Sequence, residues 1–391
     1  MDASGHAARA SAAPEARYDR GVMPPRRARP TIADVAERVG VSEAAVSFAV
    51  NGRPGVGEET RARILRAAEE LGWRPSAPAR ALTQARAGAI GLVLVRESDH
   101  LELDDFFVRF LAGVERTLTA QDYALLLRVV TPDARDDLHA YRRLITSARI
   151  DGMLLTDVVL DDPRFALLAD NGLPTVVAGR PWGDCPFPVV ETDHARGMAA
   201  LVEHLTGVGH RAVAFVAGDP AYEYIATRRW VWMETMRRAG LEPGLSASVV
   251  PEDAAARGAT TRLLQASPRP TAIVYTSDFL ALAGLGVARE LGLAVPGDVS
   301  IAGFDDSPLA SLSSPPLTTV RVDYAGFGEA AAAVLLAEID GAEPPRFVAA
   351  PPELIVRGST GPVPEGARSR SEDSGTRGGT RTRTATRANG F

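Results

Sequence analysis

The stretch TIADVAERVGVSEAAVSFAVNG, Thr31 to Gly52, holds few side chains able to react and several able to recognise. Ser47 and Asn51 can exchange hydrogen bonds with nucleic-acid bases or phosphates. Ser42 opens a helical segment, and its hydroxyl and the free amides of that helix N-terminus favour a phosphate. Ala44 and Ala45 are tiny, so they let a helix backbone come close to another surface, and a methyl group can contact thymine. That is the chemistry of a double-helix reader, although the same spacing also suits an ordinary helical hairpin in a core. Catalytic chemistry is poorly represented elsewhere. GLGVARELG (284–292) begins like a dinucleotide fingerprint, but Arg289 occupies its third glycine position and the stretch lies within a helix. There is no GKS/T phosphate loop and no HExxH motif, and the scattered histidines, His204 and His210 among them, lack metal spacing. No Ser-His-Asp order stands above background. The expectation is a protein that is not an enzyme and needs neither cofactor nor metal.

To present those residues the chain must build short helices. Thr31 caps a first one, with Asp34 in its first turn and Ile32, Val35, Ala36 and Val39 as its apolar stripe. Gly40 makes a tight turn. Ser42 caps a second helix with Val46 and Val50 on one face, ended by Asn51-Gly52. A third is expected from about Glu58 to Leu71, burying Ile64, Leu65, Ala68 and Leu71, with Gly57 where a serine cap would serve better. Two helices joined by a glycine turn form a helix-turn-helix, whose second helix enters the DNA major groove. Charge points the same way. The chain has a net charge of −6, yet Pro24 to Ala87 holds 11 arginines against 7 acidic residues. A small basic module on an acidic body suits a localised polyanion contact.

From Ala89 the pattern changes. AIGLVLV (89–95), YALLLRVV, DGMLLT, TVVAG, VVETD, AVAFVAG, TAIVYTS and VSIAGFDD read as apolar strands. Between them lie helical stretches: FFVRFLAGVERTLTAQ and segments near 138–148, 195–207, 226–239 and 279–291. FVAAPPELIVRGS supplies a last strand. Such alternation predicts parallel sheets with helices on both faces. The strands are too many for one compact sheet, so two α/β lobes around a cleft are expected. The division along the chain is then a disordered extension (1–29), a helical headpiece (30–75), a linker (76–88), the two-lobed core (89–360) and a disordered arginine-rich tail (361–391). That tail has no leucine heptads, so it is not expected to assemble tetramers. No apolar run reaches the roughly 18 residues of a membrane helix. The N-terminal residues lack a signal-peptide core, and Cys185 is the single cysteine. These features point to a cytoplasmic protein without a membrane partner.

TIADVAERVGVSEAAVSFAVNGRPGVGEETRARILRAAEELGWRP resembles the DNA-binding headpiece of the lactose-repressor/galactose-repressor (LacI/GalR) family. VPGDVSIAGFDDSPLASLSSPPLTTVRVD is a second match, in the family order and more than 200 residues away. The resemblance implies an all-α headpiece on a periplasmic-binding-protein-like core of two doubly wound lobes. It further implies a homodimer, a near-palindromic double-stranded operator and a small-molecule effector, a sugar or sugar derivative. Glu43, Ala44 and Ser47 fall where the family reads bases, while Phe48 stands where many members are polar. In the linker, Arg80 is placed to hold a phosphate, and Leu82 matches the leucine that wedges into the minor groove. Thr31, Ser42, Ala45 and Asn51 complete the expected DNA-contacting set.

The resemblance also marks effector residues. DDFF places Phe106 and Phe107 where family aromatics face the ligand, and an aromatic ring can stack on a sugar's C–H face. ATRRWVW places Arg229 at the ligand arginine, a fork donor for paired hydroxyls. YTSD places Asp278 at the ligand aspartate, which could instead cap the helix starting at Phe279. Arg180, after a strand end, is added to these, with Trp182, Tyr222 and Tyr224 as further aromatics. Lobe crossings are expected near 191–193, 318–321 and 347–350. An exported sugar-binding protein of a transporter shares such a core, but residues 31–82 and the missing signal peptide argue against it.

Overall fold

The computed structural model describes residues 30–73, 86–95, 105–131, 136–249 and 253–363. Arg80, Leu82, the expected disordered extension 1–29 and residues 364–391 of the tail expected from 361 lie outside them. Residues 361–363 of that tail are held to the core, the Gly361 amide donating to Ser300 Oγ at 3.1 Å and the Val363 amide to the Val208 carbonyl at 3.3 Å. The chain divides into two compact units at Ala85/Arg86.

The first unit contains α1 (Ile32–Val39), α2 (Glu43–Val50) and α3 (Glu58–Leu71). Thr31 Oγ1 accepts from the Asp34 amide and Asp34 accepts from the Thr31 amide, a closed capping box. Gly40 ends α1 at φ 74°, a left-handed conformation that costs a glycine little. Ser42 Oγ then accepts from the Ala45 amide and starts α2. The core between the helices is Val35, Ala36, Val39, Val46, Ala49, Ile64, Ala67 and Ala68. Leu65, expected inside, is 45% exposed. Ile64, Ala67 and Ala68 take the inner stripe of α3 at i, i+3 and i+4, which turns residue 65 outward.

The second unit holds two parallel sheets. Five strands, β1 (Ala89–Val95), β2 (Ala124–Val130), β3 (Gly152–Leu155), β4 (Thr175–Ala178) and β5 (Val189–Val190), form one in the order β2-β1-β3-β4-β5. Helices α4 (Asp105–Ala120), α5 (Asp136–Thr146) and α6 (Pro163–Asp170) connect them. The other sheet has the order β7-β6-β8-β9, from β6 (Val213–Ala217), β7 (Ser246–Ser248), β8 (Ala272–Tyr275) and β9 (Ser300–Ala302). Its helices are α7 (His194–Gly207), α8 (Glu223–Arg238), α9 (Asp253–Leu264), α10 (Asp278–Glu290) and α11 (Pro308–Leu312). β1, β3, β4, β6, β8 and β9 are buried on both faces, as continuous apolar runs require, whereas the edge strand β2 leaves Leu127 and Val129 exposed and β7 is open as well.

The chain passes between lobes after β5, returns through β10 (Thr319–Arg321) into α12 (Tyr324–Asp340), and passes back to β11 (Glu353–Ile355). β10 and β11 pair antiparallel. The linear pattern had not marked α6, α9, α11, α12 or β7. Helix α12 is apolar almost all round because it packs against both α4 and β3–β5, so no polar face betrays its period. Strand β7 is SAS, an edge strand without an apolar run. Where α4 and α12 cross, a Cβ on Gly113 would collide with the Ala325 carbonyl and one on Gly328 with the Phe110 carbonyl. These two glycines therefore set the approach of the helices.

Candidate nucleic-acid interface and ligand cleft

On α2, Val46 and Ala49 face the core, while Ser42, Glu43, Ala44 and Phe48 are exposed and Ala45 and Ser47 are half-buried. The open face thus begins with small side chains at a helix N-terminus, where unpaired amides attract anions. Asn51 is half-buried, and its amide donates to the Ser47 carbonyl at 2.8 Å and approaches Ser47 Oγ at 3.4 Å. It holds the end of α2, and its oxygen is left to accept. Thr31 is exposed but is engaged in the capping box.

In the second unit the strand ends of both lobes surround a cavity of about 420 Å³. At its floor lies Arg228, which is 3% exposed. Its guanidinium donates to the Thr276 carbonyl, to His194 Nδ1 at 3.1 Å and to Tyr324 Oη at 3.3 Å. It stacks over the Phe304 ring at 3.7 Å and pairs with Asp305 at 3.7 Å. Tyr324 in turn donates to Asp305 Oδ1 at 2.7 Å. Because arginine can only donate, His194 accepts at Nδ1 and carries its proton on Nε2, towards Thr192 Oγ1 at 3.1 Å. Burial and the adjacent Arg228 charge hold His194 well below its ordinary range, so the ring is neutral. Arg228 Nε is buried without a hydrogen-bond partner. An unpaired charged donor of this kind is costly unless an incoming acceptor meets it.

Asp278 starts α10, but Ser277 is the cap, accepting from the Leu280 amide. The carboxylate is thereby free to accept from Thr319 Oγ1 at 2.5 Å and from the Ser307 amide at 2.6 Å. Burial pushes it up to about 6 in spite of those two bonds. Glu223, also lining the cavity, is likewise raised by burial, partly offset by its Thr227 bond and by Arg180.

The expected effector residues separate into two groups. Phe106, Arg180 and Asp278 line the cavity, and Tyr224 joins them. Phe107 does not: it is 1% exposed and packs edge-on to Phe106 with centroids 4.8 Å apart. Arg229 does not line it either. It donates to Ser246 Oγ at 3.3 Å, while the neighbouring Arg228 lines the cavity. The ladder Ile225, Arg228, Trp232, Thr235 and Met236 is the buried face of α8. That 3-and-4 spacing turns Arg228 inward with the rest of the buried face. Tyr324, His194 and Asp305 were missed. Asp305 lay inside the quoted GFDD motif, but nothing local marked the other two. Among the described residues no cluster has a metal-binding arrangement, and no helix is long and apolar enough to cross a membrane.

Residues 31–76 match the model of the bacterial regulatory proteins of the lacI family, and residues 202–360 match the periplasmic binding protein-like domain. The chain is 34% identical over 349 residues to the HTH-type transcriptional regulator reg1 of Streptomyces lividans, covering 85% of this chain and 97% of that one. A transcriptional regulator CelR–cellobiose complex superposes with a TM-score of 0.64 at 30% identity, covering 85% of this chain and all of that one, 100%. The lac repressor dimer bound to operator and the anti-inducer ONPF superposes with a TM-score of 0.75 at 24% identity, over 85% of this chain and 100% of that one, a likeness of fold. A helix-turn-helix unit joined to a two-lobed, periplasmic-binding-protein-like core, with relatives of this similarity along nearly their whole length, places the chain in the LacI family of DNA-binding transcriptional regulators.

Proposed function

We propose that this regulator is a cytoplasmic repressor whose hold on a near-palindromic operator is set by a sugar or sugar derivative bound in the interlobe cavity. The observation that carries the reading is the cavity floor. A buried guanidinium with an unpaired Nε lies in one cavity with the Asp278 carboxylate, a donor and an acceptor suited to hydroxyl groups. Support comes from the relative that holds cellobiose. Phe106 and Tyr224 offer rings, and Arg180 a further donor. Two headpieces of a homodimer would read an inverted repeat through Ser42, Glu43, Ala44, Ala45, Ser47 and Asn51, with Thr31 at the start of α1. Arg80 and Leu82 would supply a phosphate contact and a minor-groove wedge. A ligand moves such an equilibrium only through unequal affinity for the DNA-competent and incompetent states.

Chromatin footprinting identifies the operator, and anisotropy on that duplex tests the reading. Affinity is expected to fall steeply with salt and to be mostly lost when one half-site is scrambled. A sugar is expected to shift the binding curve. Undiminished binding to the scrambled site would remove the dimeric reading, and indifference to every sugar tried would remove the effector.

A further inference from the structure

A buried ion pair outside the cavity holds part of the cavity wall. The segment TDVVLDD, Thr156 to Asp162, joins β3 to α6. Within it Asp157 and Asp161 sit at φ 53° and 51°, left-handed conformations that residues other than glycine keep only where their surroundings impose them. Those surroundings are Asp162 and Arg164 at the start of α6, 7% and 6% exposed. One oxygen of Asp162 accepts from the Arg164 amide at 3.0 Å and so caps α6, and the other accepts from the Val159 amide at 3.3 Å. The Arg164 guanidinium pairs with the same two oxygens at 2.8 and 2.5 Å. It also donates to the Asp157 carbonyl at 3.0 Å and to Tyr141 Oη of α5 at 3.2 Å.

Neither Arg164 nor Asp162 lines the cavity, but Asp157 and Val158 do. The same loop is a place where the lobes meet. The Glu223 amide at the start of α8 donates to the Val158 carbonyl at 3.2 Å, and Val159 bridges Tyr222. The pair thus ties the Asp157 carbonyl on one side of Val158 and the Val159 amide on the other. Folding alone gives little reason for it. Two ions taken out of water gain little net stability from each other, and apolar replacements of similar volume often fold as well or better. A planar fork that fixes backbone groups on both sides of one residue selects a conformation instead of filling space.

We infer that Arg164 is a positioning residue: together with Asp162 it holds the 157–159 backbone in the conformation that presents Asp157 to the cavity and on which the second lobe docks. The docking half stands without a ligand, and the ligand half rests on the sugar reading of the cavity.

Residue-resolved hydrogen exchange on the full chain tests the docking half. Arg164→Met combined with Asp162→Ser removes both charges and keeps a helix cap, so a urea midpoint near that of wild type is expected. In this double variant the Glu223 amide, whose acceptor lies across the cleft, is expected to exchange about 10-fold faster or more, while β1, β3 and β4 keep their protection. Arg164→Lys keeps the ion pair but replaces the planar fork by a point donor. It is expected to show the same change several-fold in size, and it decides the matter should the double variant fail to fold. Calorimetry with glucose, galactose, mannose, xylose and cellobiose tests the ligand half, and whichever binds wild type is expected to bind the variants several-fold more weakly. Unchanged exchange at Glu223 overturns the inference. So does an equal loss of protection through β1, β3 and β4, which would make the pair a folding element. Faster exchange with unchanged sugar affinity overturns the ligand half alone. Wild type that binds none of these sugars counts against the sugar reading, and the exchange result then decides the inference by itself.

Discussion

Replacing Asp278 by Asn is expected to make the protein more stable at neutral pH. The carboxylate is 1% exposed and accepts from Thr319 Oγ1 and the Ser307 amide. Burial outweighs those bonds and raises it from 3.8 to about 6. In the unfolded chain the group titrates near its ordinary value. The folded protein therefore holds this proton more tightly than the unfolded one. The resulting contribution to stability is fully present below about pH 3.8 and is lost as pH rises through about 6. Ionising it costs folding about 3 kcal/mol once pH is well above 6. Asparagine keeps the shape without the charge. Its oxygen can accept from the Ser307 amide, and its NH₂ can donate to Thr319 Oγ1, whose hydroxyl rotates to suit. Urea unfolding of both proteins from pH 4.5 to 7.5 reads the difference. The variant's advantage is expected to grow by about 2 kcal/mol over that interval, the part of the cost that falls inside it. Glu223 and Asp105, also raised by burial, titrate in both proteins and drop out to first order. A difference that stays flat with pH, or that grows in favour of the aspartate, would refute the charge-burial argument. A carboxylate retained against such a cost fits a group kept for binding rather than for folding.

Three further outcomes are expected. Arg228→Ala should weaken effector binding by roughly 10- to 150-fold, the worth of one charged hydrogen bond, while Arg229→Ala leaves it within a few-fold. Calorimetry that ranks the two the other way would return the ligand arginine to 229. Gly328→Ala should lower stability by about 1–3 kcal/mol, because its methyl meets the Phe110 carbonyl where α4 and α12 cross, and a urea midpoint equal to wild type would show that the helices can part freely. Leu82→Ala should weaken specific operator binding in anisotropy while effector affinity in the DNA-free protein stays unchanged, and equal operator affinity would remove the wedge.

The sequence by itself determined the elements whose burial pattern is local. Thr31, Gly40 and Ser42 act within three or four residues of themselves, so α1, the turn and α2 were legible from cap chemistry alone. The continuous apolar runs at β1, β3, β4, β6, β8 and β9 could be read as parallel strands because both their faces are covered. Arg180 was legible as a cavity residue because it follows a strand end, the place where an open α/β sheet exposes its loops, and Phe106 and Asp278 were legible through the DDFF and YTSD matches of the resemblance. Other features depended on what lies across from a residue. Helix α12 escaped notice because its less-buried positions are mostly alanine and glycine, so no polar face marked its period. Which of Arg228 and Arg229 faces inward is settled by the register of α8 against its lobe, and a one-residue step turns a side chain by about 100°. Tyr324 and His194 reach Arg228 from 96 and 34 residues away. The raised Asp278 carboxyl likewise exists only after folding, because desolvation is a property of the packed lobe and not of the residue.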